Sequence, residues 1–72
     1  MMKPHYYKIE FFKVCGNGVV STVTRFMKIT ERNQRIAFEA ARFSAERHEL
    51  TEAGWGYGIT TIDAIEFVAE TS

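Results

Sequence analysis

Seventy-two residues with nine basic and nine acidic side chains make one small domain, residues 1–72, of zero formal charge, with room for a single modest core. That balance argues against the basic excess of most nucleic-acid binders, and a lone cysteine, Cys15, excludes an internal disulfide. Chains below about 70–80 residues that lack a disulfide usually lean on a metal or a partner subunit.

The N-terminal MMKPHYYKIEFF has no signal-like apolar segment, and no apolar run approaches the ~20 residues that span a bilayer, so a cytoplasmic location is expected. Charge is spread unevenly. Residues 1–30 hold Lys3, Lys8, Lys13, Arg25 and Lys28 against Glu10 alone, whereas residues 51–72 hold Glu52, Asp63, Glu66 and Glu70 with no basic residue. Such a dipole along the chain can orient a partner or a second copy; solvated surface charge is the plainer alternative.

In chain order, HYYKIEFFKVC (His5 to Cys15) and VVSTVTRFMKIT (Val19 to Thr30) are rich in aromatic and β-branched residues and predict two strands. Asn17-Gly18 between them tolerates the positive φ angles of a hairpin turn. A two-residue turn there sets Glu10 opposite Arg25, Phe12 opposite Val23 and Ile9 opposite Phe26; a three-residue loop with Gly18 in a bulge shifts the register by one. At Thr30 the period becomes helical. Thr30 is the expected N-cap, Glu31 complements the first turn, and Ile36, Ala40, Phe43, Arg47 and Leu50 share a stripe flanked by Ala37, Ala41, Ser44 and His48. Arg35, Glu39, Arg42 and Glu46 lie opposite at ion-pair spacings. The helix is expected to end near Leu50, before the glycines of TEAGWGYG, and ITTIDAIEFVA (Ile59 to Ala69) reads as a third strand bent near Asp63.

Strand, strand, helix, strand predicts an α+β fold of ββαβ topology: a three-stranded antiparallel sheet in the order 2-1-3 with one amphipathic helix on one face. The other face then has no cover. All three strands are apolar on both sides, with Tyr7, Ile9 and Phe11 against Tyr6, Phe12 and Val14 in the first, and contiguous exposed apolar surface marks an interaction site. The expected open face carries Tyr6, Lys8, Phe12, Arg25 and Met27. In GWGYG, Trp55 and Tyr57 are either a partner-binding loop or, for Trp55, a lid folded back over the core.

No chemistry assembles from spacing. His5, Cys15, His48 and Asp63 are scattered rather than clustered as metal ligands, Cys15 has no positioned base, and His48 suits the helix C-terminal dipole when protonated. The glycines of GNG and GWGYG do not open a helix with the Lys and Ser/Thr of a phosphate loop. The expectation is a non-enzymatic binding or regulatory protein without metal or cofactor, a homodimer with a protein partner and no membrane contact. In size and charge balance the chain resembles the small accessory proteins of bacteriophages and mobile elements, some of which inhibit host proteins by surface contact. The alternative is a single-stranded nucleic-acid binder stacking bases on Tyr6 and Phe12 beside Lys8 and Arg25, against which the acidic Glu10 and the zero net charge count.

Overall fold

The computed structural model describes all residues, Met1–Ser72. Two long strands, β1 (Lys3–Val14) and β2 (Val20–Glu31), are followed by helix α1 (Gln34–Glu46), the single turn α2 (Glu49–Glu52), strand β3 (Gly56–Ile62) and helix α3 (Ala64–Thr71). The strands form one antiparallel sheet in the order β2-β1-β3, an α+β fold with helices packed on it.

The hairpin takes the three-residue loop. Gly18 donates to the Cys15 carbonyl at 2.9 Å, Cys15 donates to the Val19 carbonyl at 2.8 Å, and Gly18 sits at φ 84°, a left-handed position that costs glycine nothing. Asn17 Oδ1 accepts from the Val19 amide and fixes the bend. The two-residue register is therefore replaced: Ile9 lies opposite Arg25, Phe11 opposite Val23 and Tyr7 opposite Met27. Because opposite residues share a face, a slip of one moves all of β2 to the other side of the sheet.

Pairing also outlasts the expected helix start. Thr30 and Glu31 remain in the ladder opposite Pro4 and Lys3, so the cap falls to Asn33, whose Oδ1 accepts from the Ile36 amide at 2.9 Å. At its other end α1 stops at Glu46, earlier than Leu50. His48 Nδ1 accepts from the Leu50 amide at 3.1 Å and starts α2 afresh, so the residue caps the second helix instead of standing at the C-terminal end of the first.

The third strand stops at Ile62, not Ala69, for a reason written in β1. Its even-numbered residues bond β3, the next such pair beyond Tyr6 and Ile62 would join Pro4 to residue 64, and proline has no N–H to give. Asp63 then caps α3, its Oδ1 accepting from the Glu66 amide at 2.7 Å, with Glu66 at the third helical position as in a capping box.

The core sits between β1 and α1. Tyr7 packs with Ala37 and Ala41, while Ile9 and Phe11 pack with Ala45; Met27, Ile29, Val23, Ile59, Leu50, Trp55 and Tyr57 close its rim. Alanines at every fourth residue let the helix lie close on the sheet, so the buried line is Ala37, Ala41 and Ala45, about one residue's turn from the expected stripe. Seven of 72 residues are buried, and the Cα radius of gyration is 13.5 Å against about 11 Å for a compact chain of this length. Exposed surface is 5092 Å², roughly 500 Å² above the scaling for a monomer of 8.3 kDa. The chain leaves apolar surface that its own elements do not shelter.

Candidate interaction surface

The face turned away from α1 carries Tyr6, Lys8, Glu10, Phe12 and Val14 of β1 with Val20, Thr22, Thr24, Phe26 and Lys28 of β2, as the register requires. It is not bare, which corrects the expectation of a face without cover. α3 crosses one end of it, and Phe67 stands 4.8 Å from Tyr6, ring centroid to ring centroid. Lys8 Nζ lies 3.8 Å from Glu10 Oε1. Phe12 spreads over Gly56, where an added Cβ would meet its ring at 2.6 Å.

Beyond α3 the cover ends. Lys13 to Val20 run past the last β3 residue paired with β1, Gly56, as a two-stranded arm. On its open side Val14 is 65% exposed and Val20 55%, Val19 at the turn is exposed too, and Phe12 at the arm's base, opposite Gly56, is 44% exposed. These side chains form one apolar stripe across two paired strands.

Of the expected open-face residues, Tyr6, Lys8 and Phe12 are there. Arg25 and Met27 are not. The one-residue shift puts both on the α1 side, where Met27 packs against the core and Arg25 reaches back with Nη1 to the Thr24 carbonyl at 3.1 Å. The aromatics of GWGYG are also tied down. Trp55 is half-buried against the Ile9, Phe11 and Ala45 cluster and donates its amide to the Leu50 carbonyl at 3.0 Å. Tyr57 belongs to β3, opposite Phe11, and its hydroxyl donates to Glu46 Oε1 at 3.3 Å. Burial first, then the charge of Glu46 and its hydrogen bond, push the Tyr57 pKa up, against a smaller pull down from Arg42. Trp55 thus lies as a lid over the Phe11 end of the core.

Two other apolar features lie outside the expected open face. Ile36 and Phe43, assigned to the core-facing stripe, are 46% and 54% exposed on a flank of α1, with the Arg47 guanidinium 4.3 Å above the Phe43 ring. Ile65 and Val68 stand exposed on α3, which was read as strand. The helical spacing of Ile36 and Phe43 is legible in the sequence, though not the side to which the helix turns them, whereas Ile65 and Val68 sit in a segment with the composition of a strand.

No three of His, Cys, Asp and Glu come together, Cys15 Sγ faces only the Ser21 hydroxyl at 3.7 Å, and His5 is buried with Nε2 unpartnered. An open groove between α1 and β3 is lined by Gln34, Arg35, Phe38, Glu39 and Thr61. Beside it Arg42 bridges Glu39 at 3.0 Å and Glu46 at 3.8 Å. No helix is long and apolar enough to cross a membrane. No family model, curated protein or solved structure matches the chain.

Proposed function

We propose that the chain is a non-enzymatic binding protein that self-associates and acts by contact on a protein partner. The observation that carries this reading is the exposed stripe of Phe12, Val14 and Val20 on a projecting arm, in a molecule with only seven buried residues. A domain this small gains stability from covering such surface, and an apolar stripe in a polar rim is the ordinary form of a protein contact. The basic surplus of residues 1–30 and the acidic surplus of residues 51–72 supply orientation. A contact inhibitor of a larger protein, in the manner of mobile-element accessory proteins, is a form of this activity that requires no catalytic residue.

The nucleic-acid reading has less support. Tyr6 is occupied by Phe67, Lys8 is paired with Glu10, and Arg25 is on the far side of the sheet, so the platform of aromatic and basic groups is dispersed.

The test is capture from cell extract with the wild-type chain and with a Phe12→Ser, Val20→Ser variant whose fold is checked by circular dichroism. A protein retained by the wild type and lost with the variant supports the reading. Identical recovery from both, in repeated extracts, removes it.

A further inference from the structure

We propose that the self-association on which the preceding reading rests joins two copies through the free edge of β2, closing a continuous six-stranded antiparallel sheet with the α1 helices side by side on one face. Two features on the same side of the molecule carry this. The first is the edge itself. β2 is paired with β1 along twelve residues without a bulge, and its outer side has no neighbour. The Cys15 to Val19 bond sets the phase of the ladder, so odd-numbered β2 residues bond β1 while the amides and carbonyls of Thr22, Thr24, Phe26, Lys28 and Thr30 face outward. Edges of this length are usually blunted by proline, a bulge or a covering element; this one carries only Arg25, bonding the Thr24 carbonyl, and Lys28.

The second feature is the flank of α1 that looks over that edge. The Arg35, Phe38 and Glu39 flank lines the groove toward β3, which leaves Ile36, Ala40 and Phe43 on the β2 side. Ile36 and Phe43 are about half exposed there, seven residues apart, with small Ala40 between them, and α1 touches β2 more than β3. Strands about 4.8 Å apart would bring two such helices, each lying over the line between β1 and β2, to about 10 Å, a normal packing distance. Ile36 of each copy then rests against Ala40 and Phe43 of the other.

Charge and pairing select a register. Setting Arg25 opposite the partner's Glu31 sets Met27 opposite the partner's Ile29, which gives two ion pairs and two apolar pairs on the helix side. Lys28 meets its own copy on the open side, where both ammonium groups reach water. The stripe of Phe12, Val14 and Val20 stays free in this arrangement, so a dimer built this way carries two copies of it.

Sedimentation equilibrium on three chains tests the proposal: wild type, Lys28→Pro, and Phe12→Ser with Val20→Ser. Proline at residue 28 removes an outward N–H only and leaves the ladder to β1 intact. The expected result is a dimer for the wild type and for the arm variant, and a halved mass for Lys28→Pro with its circular dichroism retained. Should Lys28→Pro not fold, hydrogen exchange on the wild type decides, since the Phe26, Lys28 and Thr30 amides slow with rising concentration only if the edge pairs. A folded Lys28→Pro that remains a dimer, or fast exchange at those three amides in the wild-type dimer, overturns the edge proposal and leaves self-association standing. A wild type that stays monomeric at every concentration reached overturns both.

Discussion

Phe67 of α3 stacks on Tyr6 of β1 with ring centroids 4.8 Å apart and planes tilted by 42°, and through this pair the last helix is held to the sheet. An aromatic pair contributes about 0.5–1.5 kcal/mol beyond its buried area. Phe67→Ala is expected to lower the unfolding free energy by roughly 1–2 kcal/mol and the melting temperature by several degrees. The variant should also bind more apolar dye, because Phe67 no longer shields Tyr6. Melting and dye binding unchanged from the wild type would show that α3 contributes nothing to the fold.

That α3 is a helix at all was hard to read from its residues. IDAIEFVA, from Ile62 on, has the β-branched and aromatic content of a strand, and Ile65 with Phe67 suits alternation. Two local signals pointed the other way: Asp63 and Glu66 at capping-box spacing, and Pro4, which denies the ladder its next bond. The first is visible in the sequence; the second becomes a signal only when the pairing of β1 with β3 is known. The strand order and the core residues of β1 follow from pattern alone, since Tyr7, Ile9 and Phe11 alternate cleanly. The face of β2 did not, because Asn17-Gly18 suits both a two-residue and a three-residue loop, and the one-residue slip between them turns every β2 side chain to the other face. Arg25 and Met27 were misplaced for that reason, and the flank of Ile36 and Phe43 was misplaced because alanines pack closer than larger side chains.

Gly56 and Phe12 form a second coupled pair across β3 and β1. A Cβ at residue 56 would lie 2.6 Å from Phe12 Cε2 and Cζ, so Gly56→Ala forces the ring to swing away. Phe12 is partly exposed and can move, which keeps the expected cost near the low end of overpacking, about 1 kcal/mol. In a Phe12→Ala background the same substitution should cost nothing. A double-mutant cycle by denaturant unfolding measures the coupling; equal costs in both backgrounds would mean that the ring does not rest on the glycine.

Trp55 offers a sharper separation of structure from contact. Half-buried against Ile9, Phe11 and Ala45, it closes the end of a core whose fully buried large side chains are only Tyr7 and Phe11. Trp55→Ala is expected to cost about 2–3 kcal/mol, at or just below the lower end of the range for aromatic truncation because the site is partly open. For a chain of this length that is a melting-temperature drop on the order of 10 °C. Thermal unfolding at fixed protein concentration reads it; a variant that melts with the wild type but loses its partner would make the indole a contact residue instead.

Tyr7 ties the stability of the fold to alkaline pH. It is fully buried between β1 and α1, its hydroxyl donates to the Gln34 carbonyl at 3.4 Å, and burial raises its pKa above the ordinary value of 10.0. With the native pKa above the unfolded one, the native state holds the proton longer, so this stabilisation is fully present below the unfolded pKa and is lost as pH rises through the native one. The Tyr7 contribution should therefore be constant through neutral pH and decline above about pH 10. Tyr57 shifts in the same direction but is far less enclosed, so it contributes less. Tyr7→Phe removes a long hydrogen bond worth about 0.5–1 kcal/mol at neutral pH and should flatten the alkaline decline, whereas Tyr57→Phe should leave most of it. Parallel melts of the three chains across the alkaline range distinguish the contributions, and an undiminished decline in Tyr7→Phe would assign the alkaline limit to other groups.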